Sequence, residues 1–291
     1  MYARFDLSSP RSLDEALAAC GAAEPPMLLA GGTVALVEIR AGKSDPRALL
    51  SLDRLSDLRG IGREGPALVL GARTTVTDLL ESPLVAGLAP ALADAAGRFA
   101  GLMVRNAATV GGNIAAGSPA ADLVPPLLTL DAQVELARQG ATRQVPLSEY
   151  FTGYKRTLRQ PGEIITRVIL PDPRPGDFNA FYKLARRRGD AITVVGVAVT
   201  VRHEGEVCSH ARIALGSVGP MPLRARRAEA LLEGRPLDAA AIEAAAAAAE
   251  AESTPIDDVR ASGAYRRRMV RVLVRRLLGQ AAGRPEGGDG R

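Results

Sequence analysis

Short apolar runs alternate with amphipathic stretches along the first hundred residues. MLLA (27–30), ALLSL (48–52) and ALVLGA (67–72) read as buried strands. Residues 12–20 read as a helix with Ser12 as cap and Glu15 in its first turn. VALVEIRAG then starts a helix with Thr33 near its N-cap, and RTTVTDLLESPLV and PALADAAGRFA read as two more, the second ending near Gly101. From about residue 163 the pattern changes: EIITRVILP, FYKLA, ITVVGVAVTVRH and VCSHARIALGSVG read as four strands. The Pro-rich stretch PDPRPGD (171–177) is the natural boundary, and everything after 223 reads as helical. The last helix, near 258–278, places Tyr265, Met269, Val272, Leu273 and Leu277 on one face, with Arg266, Arg267, Arg268, Arg271 and Arg275 mostly on the other. The pattern predicts an α+β fold in two parts, a mixed domain over 1–172 and a small sheet with packed helices over 177–280. The tail 281–291 has little apolar content and is expected to be disordered.

Composition narrows the chemistry. With 291 residues and 47% apolar content the chain can bury a core, so a largely disordered protein is excluded. Cys20 and Cys208 are the only cysteines, too few for a disulfide scaffold or a self-contained zinc or iron–sulfur site. His203 and His210 are likewise too few for most metal or triad chemistry. The net charge of +5 is carried almost wholly by arginine, since Lys43, Lys155 and Lys183 are the only lysines. A pI near 9.6 raises nucleic acid as a partner, but five Phe, five Tyr and no Trp make a poor stacking platform. The N-terminus carries charge throughout, without the apolar region of a secretory signal. No run of about 18 apolar residues is present, so no membrane span and a cytoplasmic location are expected.

Two motifs match by letter and fail by context. Gly60-Ile61-Gly62-Arg63-Glu64-Gly65 fits GxGxxG, yet Pro66 and a strand follow it, so no helix N-terminus faces a phosphate. A hairpin turn is expected there. Gly42-Lys43-Ser44 fits the end of a P-loop, but the motif's first glycine would fall on Val37, inside a helix. A serine hydrolase fails for want of Gly-x-Ser-x-Gly.

Two glycine pairs survive. Leu28-Leu29-Ala30-Gly31-Gly32-Thr33 is a strand, a turn without side chains and a hydroxyl at a helix start. Backbone N–H groups of such a turn can converge on an anion. Thr109-Val110-Gly111-Gly112-Asn113 repeats the pattern, followed by Ser118-Pro119-Ala120-Ala121-Asp122, whose carboxylate can accept from a sugar hydroxyl. Either pair alone is more often a plain turn. Together, with no lysine near either, they suggest a backbone cradle for a diphosphate.

The stretch FAGLMVRNAATVGGNIAAGSPAAD (99–122), with LLAGGT (28–33), resembles the FAD-binding subunit of the molybdenum hydroxylases. That family includes the medium subunit of aerobic carbon monoxide dehydrogenase and the flavin domain of xanthine dehydrogenases. The likeness continues through YFTGYKRTLRQPGEIITRVILP, FYKLARRRGDAITVVGVAV, ARIALGSVGPMPLRA and RASGAYRRRMVRVLVRRLL, covering nearly the whole chain. The resemblance implies a two-lobed FAD-binding domain of the vanillyl-alcohol-oxidase (PCMH) type and a C-terminal domain of the carbon monoxide dehydrogenase flavoprotein type. It implies that Leu28, Leu29, Ala30, Gly31, Gly32, Thr33, Val34 and Ala35 wrap the FAD diphosphate together with Thr109, Val110, Gly111, Gly112 and Asn113. Asp122 would hold ribose or ribityl hydroxyls, Phe99 and Ile165 would border the rings, and Lys183 would approach the isoalloxazine. A cation there suits the negative charge of reduced flavin.

There are departures from the family pattern. Some members carry a polar residue where this chain has Val34, and the carbon monoxide type often has an aromatic at the position of Ala191. With two cysteines the chain cannot carry the extra iron–sulfur loop of the benzoyl-CoA-reductase branch. The function implied is an electron-transfer flavoprotein subunit, an oxidoreductase without catalytic side chains or metal of its own. Its partners would be a molybdenum–pterin large subunit and a small subunit with two [2Fe-2S] clusters, assembled as a dimer of heterotrimers. Two alternatives stand beside it: a stand-alone flavin oxidase of the same fold, and a basic nucleic-acid-binding protein.

Overall fold

The computed structural model describes residues 4–187 and 189–283. Residues 284–291 of the expected tail therefore lie outside the described residues. The chain opens with β1 (Asp6–Ser8), α1 (Leu13–Cys20), β2 (Met27–Leu29), α2 (Ala35–Arg40) and β3 (Ala48–Ser51). The Ser12 hydroxyl accepts from the Glu15 amide and starts α1 where the sequence places it. β1, β3 and β2 form a parallel sheet in that spatial order, with a small core of Leu17, Leu50, Leu55 and Ile164 under α1.

The second lobe starts with β4 (Ile61–Glu64) and β5 (Ala67–Gly71), antiparallel across the Gly65 turn, so the GxGxxG match is a hairpin. The run expected as one helix is two, α3 (Val76–Glu81) and α4 (Pro83–Leu88). The break follows from Pro83, which pushes Ser82 into an extended conformation and then serves as the first helical residue of α4. Next, α5 (Pro90–Gly97) ends before Arg98, short of the expected Gly101, because Ala100 turns left-handed at φ +33. Gly101 instead caps α6 (Leu102–Ala107), which leads to α7 (Val110–Ala115) and α8 (Val124–Thr129).

Residues 133–146, given no element above, form the hairpin β6 (Gln133–Arg138) and β7 (Ala141–Pro146). After α9 (Leu147–Tyr150) and the small hairpin β8 (Phe151–Gly153) and β9 (Arg156–Thr157) comes β10 (Ile164–Leu170). β10 inserts between β5 and β6, completing an antiparallel sheet in the order β4-β5-β10-β6-β7.

Past residues 171–177 the chain builds a second antiparallel sheet from β11 (Phe178–Leu184), β12 (Val195–Glu204), β13 (Val207–Gly216) and β14 (Leu223–Arg224). The region after 223 is not wholly helical. It holds β14, α10 (Arg226–Ala230), the short β15 (Arg235–Pro236) on β13, α11 (Ala239–Glu252) and α12 (Gly263–Ala281). Side chains of β12 alternate. Val195, Val197, Val199 and Val201 join the core shared with α11 and α12, while Ala198 joins the core of the first domain. Small residues on that second face let α8 lie directly on β12 and β13.

The last helix begins at Gly263 rather than 258, because the Asp258 carboxylate instead accepts from the Arg260 and Ala261 amides and Ser262 becomes the cap. Its buried face is shifted too. Arg266 is 4% exposed and Tyr265 46%, the reverse of the expected pattern. Arg266 donates to the Ser217 carbonyl and the Asp258 carboxylate, which makes its burial tolerable. Arg271 and Arg275 pair with Glu243 of α11.

Candidate functional site

The two glycine blocks meet. A Cβ on Gly31 would lie 1.7 Å from the carbonyl oxygen of Ala107 and 3.1 Å from the amide nitrogen of Ala108. No side chain fits between the β2–α2 turn and the segment that enters Thr109. Gly32 holds φ +68, a conformation glycine adopts without strain. The cap position of α2 is Val34, with no side-chain cap bond, so Thr33 does not cap it. The first amides of a helix have no partner within it. Here they have no side-chain cap, although the Leu36 amide donates to the Gly32 carbonyl.

The second block works differently from the first. Val110 and Gly111 donate their amides to the Thr74 and Ala72 carbonyls at 3.0 and 2.9 Å, and Gly112 donates to the Thr109 hydroxyl. A Cβ on Gly111 would stand 2.7 Å from that of Ala72, so this glycine serves close packing of α7 on the end of β5. The Gly112 carbonyl is also taken, by the Ala116 amide, so what the block offers a ligand is the Thr109 hydroxyl proton and the Asn113 carboxamide. The buried Asn113 Oδ1 has no hydrogen-bond partner among the described residues. An unsatisfied buried oxygen costs about 1–3 kcal/mol, which a ligand hydroxyl would recover.

Asp122, Lys183 and Thr193 form a second cluster. Lys183 Nζ donates to Asp122 Oδ2 at 2.6 Å and to the Arg98 carbonyl at 3.1 Å, and Thr193 donates to Asp122 Oδ1. The Lys183 side chain is 5% exposed, so it is a buried ion-pair partner rather than a solvated strand-end lysine. Burial pushes the Asp122 carboxyl up, against the opposing pull of the Lys183 charge and hydrogen bond and of Thr193. Phe99, beside Arg98, is half-buried against the domain core, and Ile165 is buried on β10, which packs on α7.

α6 runs from Asp190 to the first glycine block. At its C-terminal end Ala107 abuts Gly31, and at its N-terminal cap a Cβ on Gly101 would lie 2.9 Å from the Asp190 carboxylate. Six helical residues span roughly 9 Å at about 1.5 Å each. Sequence patterns alone missed several participants. Arg105 ties the Gly97 and Phe99 carbonyls from α6, Thr193 sits in a run that reads as a buried strand, and Asp190 borders Gly101. Lys155, at the β8–β9 turn, pairs with Glu38 of α2. The residues outside the site are also placed: Cys20 and Cys208 are buried elsewhere, and His203 contacts the Ala281 carbonyl.

The site thus combines a glycine turn without a side-chain cap, an orphaned amide oxygen that can accept from a hydroxyl, and a buried ammonium donor, a set suited to an extended anionic cofactor that carries hydroxyls. Residues 3–173 match the family model for the FAD binding domain in molybdopterin dehydrogenase, and residues 180–281 match the CO dehydrogenase flavoprotein C-terminal domain. The chain belongs to this family of FAD-binding subunits of molybdenum hydroxylases and is an oxidoreductase subunit. It is 36% identical over 279 residues to the carbon monoxide dehydrogenase medium chain of Hydrogenophaga pseudoflava, covering 96% of this chain and 97% of that one. It is 32% identical to the xanthine dehydrogenase FAD-binding subunit of Escherichia coli O157:H7, covering 87% and 88%. A solved structure of reconstituted CO dehydrogenase from Oligotropha carboxidovorans superposes with a TM-score of 0.93 at 33% identity, over 98% of this chain and all of that one. Among the described residues no helix is long and apolar enough to cross a membrane.

Proposed function

We propose that this chain is the electron-transfer subunit of a molybdenum-containing hydroxylase. It accepts electrons from [2Fe-2S] clusters on a small partner subunit and delivers them to NAD, a quinone or dioxygen. A large subunit carrying molybdenum–pterin oxidises the substrate, and the three chains assemble as a dimer of heterotrimers in the cytoplasm. The observation that carries this reading is the joined pair of glycine blocks, in a chain whose two cysteines cannot bind a cluster.

Residues 28–35 supply amides for the diphosphate of FAD. Thr109 and Asn113 flank it with a hydroxyl and a carboxamide. Phe99 and Ile165 shield the ring side from water, and Lys183 holds a positive charge next to it, fixed by Asp122. Bound there, FAD would supply what no side chain can, a store for one or two electrons. Residues 1–172 carry the cradle, and residues 177–280 contribute Lys183 to it.

The test is to isolate the chain with the chains that co-purify, measure iron and molybdenum, reduce the preparation anaerobically, and offer each acceptor separately. Bleaching of the flavin bands and their return with one acceptor is the expected result. A preparation without iron or molybdenum, indifferent to all three acceptors, would contradict the reading.

A further inference from the structure

The cluster of Asp122, Lys183 and Thr193 joins the two domains at one buried point. Asp122 follows the second glycine block, whereas Lys183 is the penultimate residue of β11 and Thr193 precedes β12. Lys183 and Thr193 flank the same connection, closed where the Val194 amide donates to the Leu184 carbonyl, and both reach Asp122. A lysine ammonium has three donors. Two are used, on the Arg98 carbonyl and on Asp122, and the third has no acceptor among the described residues. Burial of a cation with one donor unspent is costly unless something meets it. Asp122 reaches Lys183 through one carboxylate oxygen and Thr193 through the other, so the hydroxyl fixes the carboxylate plane and the carboxylate fixes the ammonium.

We propose that Thr193 and Asp122 are positioning residues that hold Lys183 across the domain boundary with its third N–H directed to the bound flavin. Thr193 acts only through Asp122. A carboxylate has about four lone-pair sites, so a cofactor hydroxyl can share Asp122 without releasing Lys183. The inference rests on the FAD reading and adds to it Thr193, a residue of the C-terminal domain that fixes Lys183 through Asp122. A fixed cation stabilises the reduced, more negative flavin more than the oxidised one.

The test uses the full chain isolated with its co-purifying subunits. Thr193→Val, Thr193→Ser and Lys183→Met are compared with the unsubstituted protein for FAD dissociation constant, flavin midpoint potential and melting temperature. Thr193→Val is expected to bind reduced FAD about tenfold more weakly relative to oxidised FAD, which lowers the two-electron potential by about 30 mV. Thr193→Ser keeps the hydroxyl and restores the potential, and Lys183→Met lowers it at least as far as Thr193→Val. A Thr193→Val protein with lower melting temperature but unchanged potential would show a purely structural hydroxyl and overturn the proposal. An unsubstituted protein that binds no FAD at all would overturn the FAD reading itself, and this inference with it.

Discussion

One methyl group at Gly31 would have to occupy space 1.7 Å from a carbonyl oxygen. Neither backbone can yield without separating the two glycine blocks. Gly31→Ala is therefore expected to cost about 1–3 kcal/mol of stability, the range for overpacking, and to abolish FAD retention. Denaturant melts and flavin content after gel filtration would check both. Arg266 offers a different residue-scale test, remote from the cradle. Its guanidinium is buried and held by Ser217 and Asp258, so Arg266→Met is expected to lower stability by about 1–3 kcal/mol, chiefly through the unpaired Ser217 carbonyl, because Asp258 keeps Arg260. Burial opposes ionisation of Asp258, but the Arg260 amide and the Arg266 guanidinium outweigh it and hold the carboxyl at about 2 instead of 3.8. Because the folded value is depressed, this stabilisation is present above 3.8 and lost as pH falls through about 2. Acid titration of stability should fall more steeply over that window for the natural chain than for Asp258→Asn. At this scale the glycine blocks were legible as letters, but the distinct job of each was not. Gly31 and Gly111 both mark close approach, and only the three-dimensional neighbours show that the amides of 110–112 are already spent.

Elements were legible where a local rule decided them. Ser12 capped α1 as its hydroxyl and the following Glu15 imply, and Pro66 made the GxGxxG match a hairpin. Thr109 caps α7 through Gly112, so Thr109→Val is expected to cost roughly 1 kcal/mol in stability and to loosen FAD, as read by denaturation and by flavin quenching. Elements decided by distant partners were less legible. The β6–β7 hairpin carries charged residues such as Arg138 and Arg143, and gains its place only because β10 pairs with β6. Arg266 appeared polar in the helical pattern. Its burial depends on Asp258 and on the Ser217 carbonyl, neither of which helical spacing along α12 reveals.

The two domains are joined by more than a linker. α8 lies on β12 and β13, the Asn179 side chain accepts from the buried Ala91 amide, and Lys183 crosses to Asp122. The Ala198 side chain belongs to the core of the FAD-type domain although it sits on β12. Ala198→Leu is accordingly expected to destabilise by about 1–3 kcal/mol through overpacking at this joint, with the melting transition as its readout. The two-part α+β architecture was legible from the Pro-rich stretch 171–177, although the change of pattern near 163 comes one strand early, since β10 belongs to the first sheet. The clasp between the parts was not, because Thr193 and Asp122 lie far apart in the chain. The central claim, that the joined glycine blocks hold FAD, is met most directly by one measurement: acid release and identification of the chromophore from the chain isolated with its co-purifying subunits. The account predicts FAD, one per chain, with the absorption bands of oxidised flavin before release. A colourless preparation that stays colourless after incubation with FAD would contradict it.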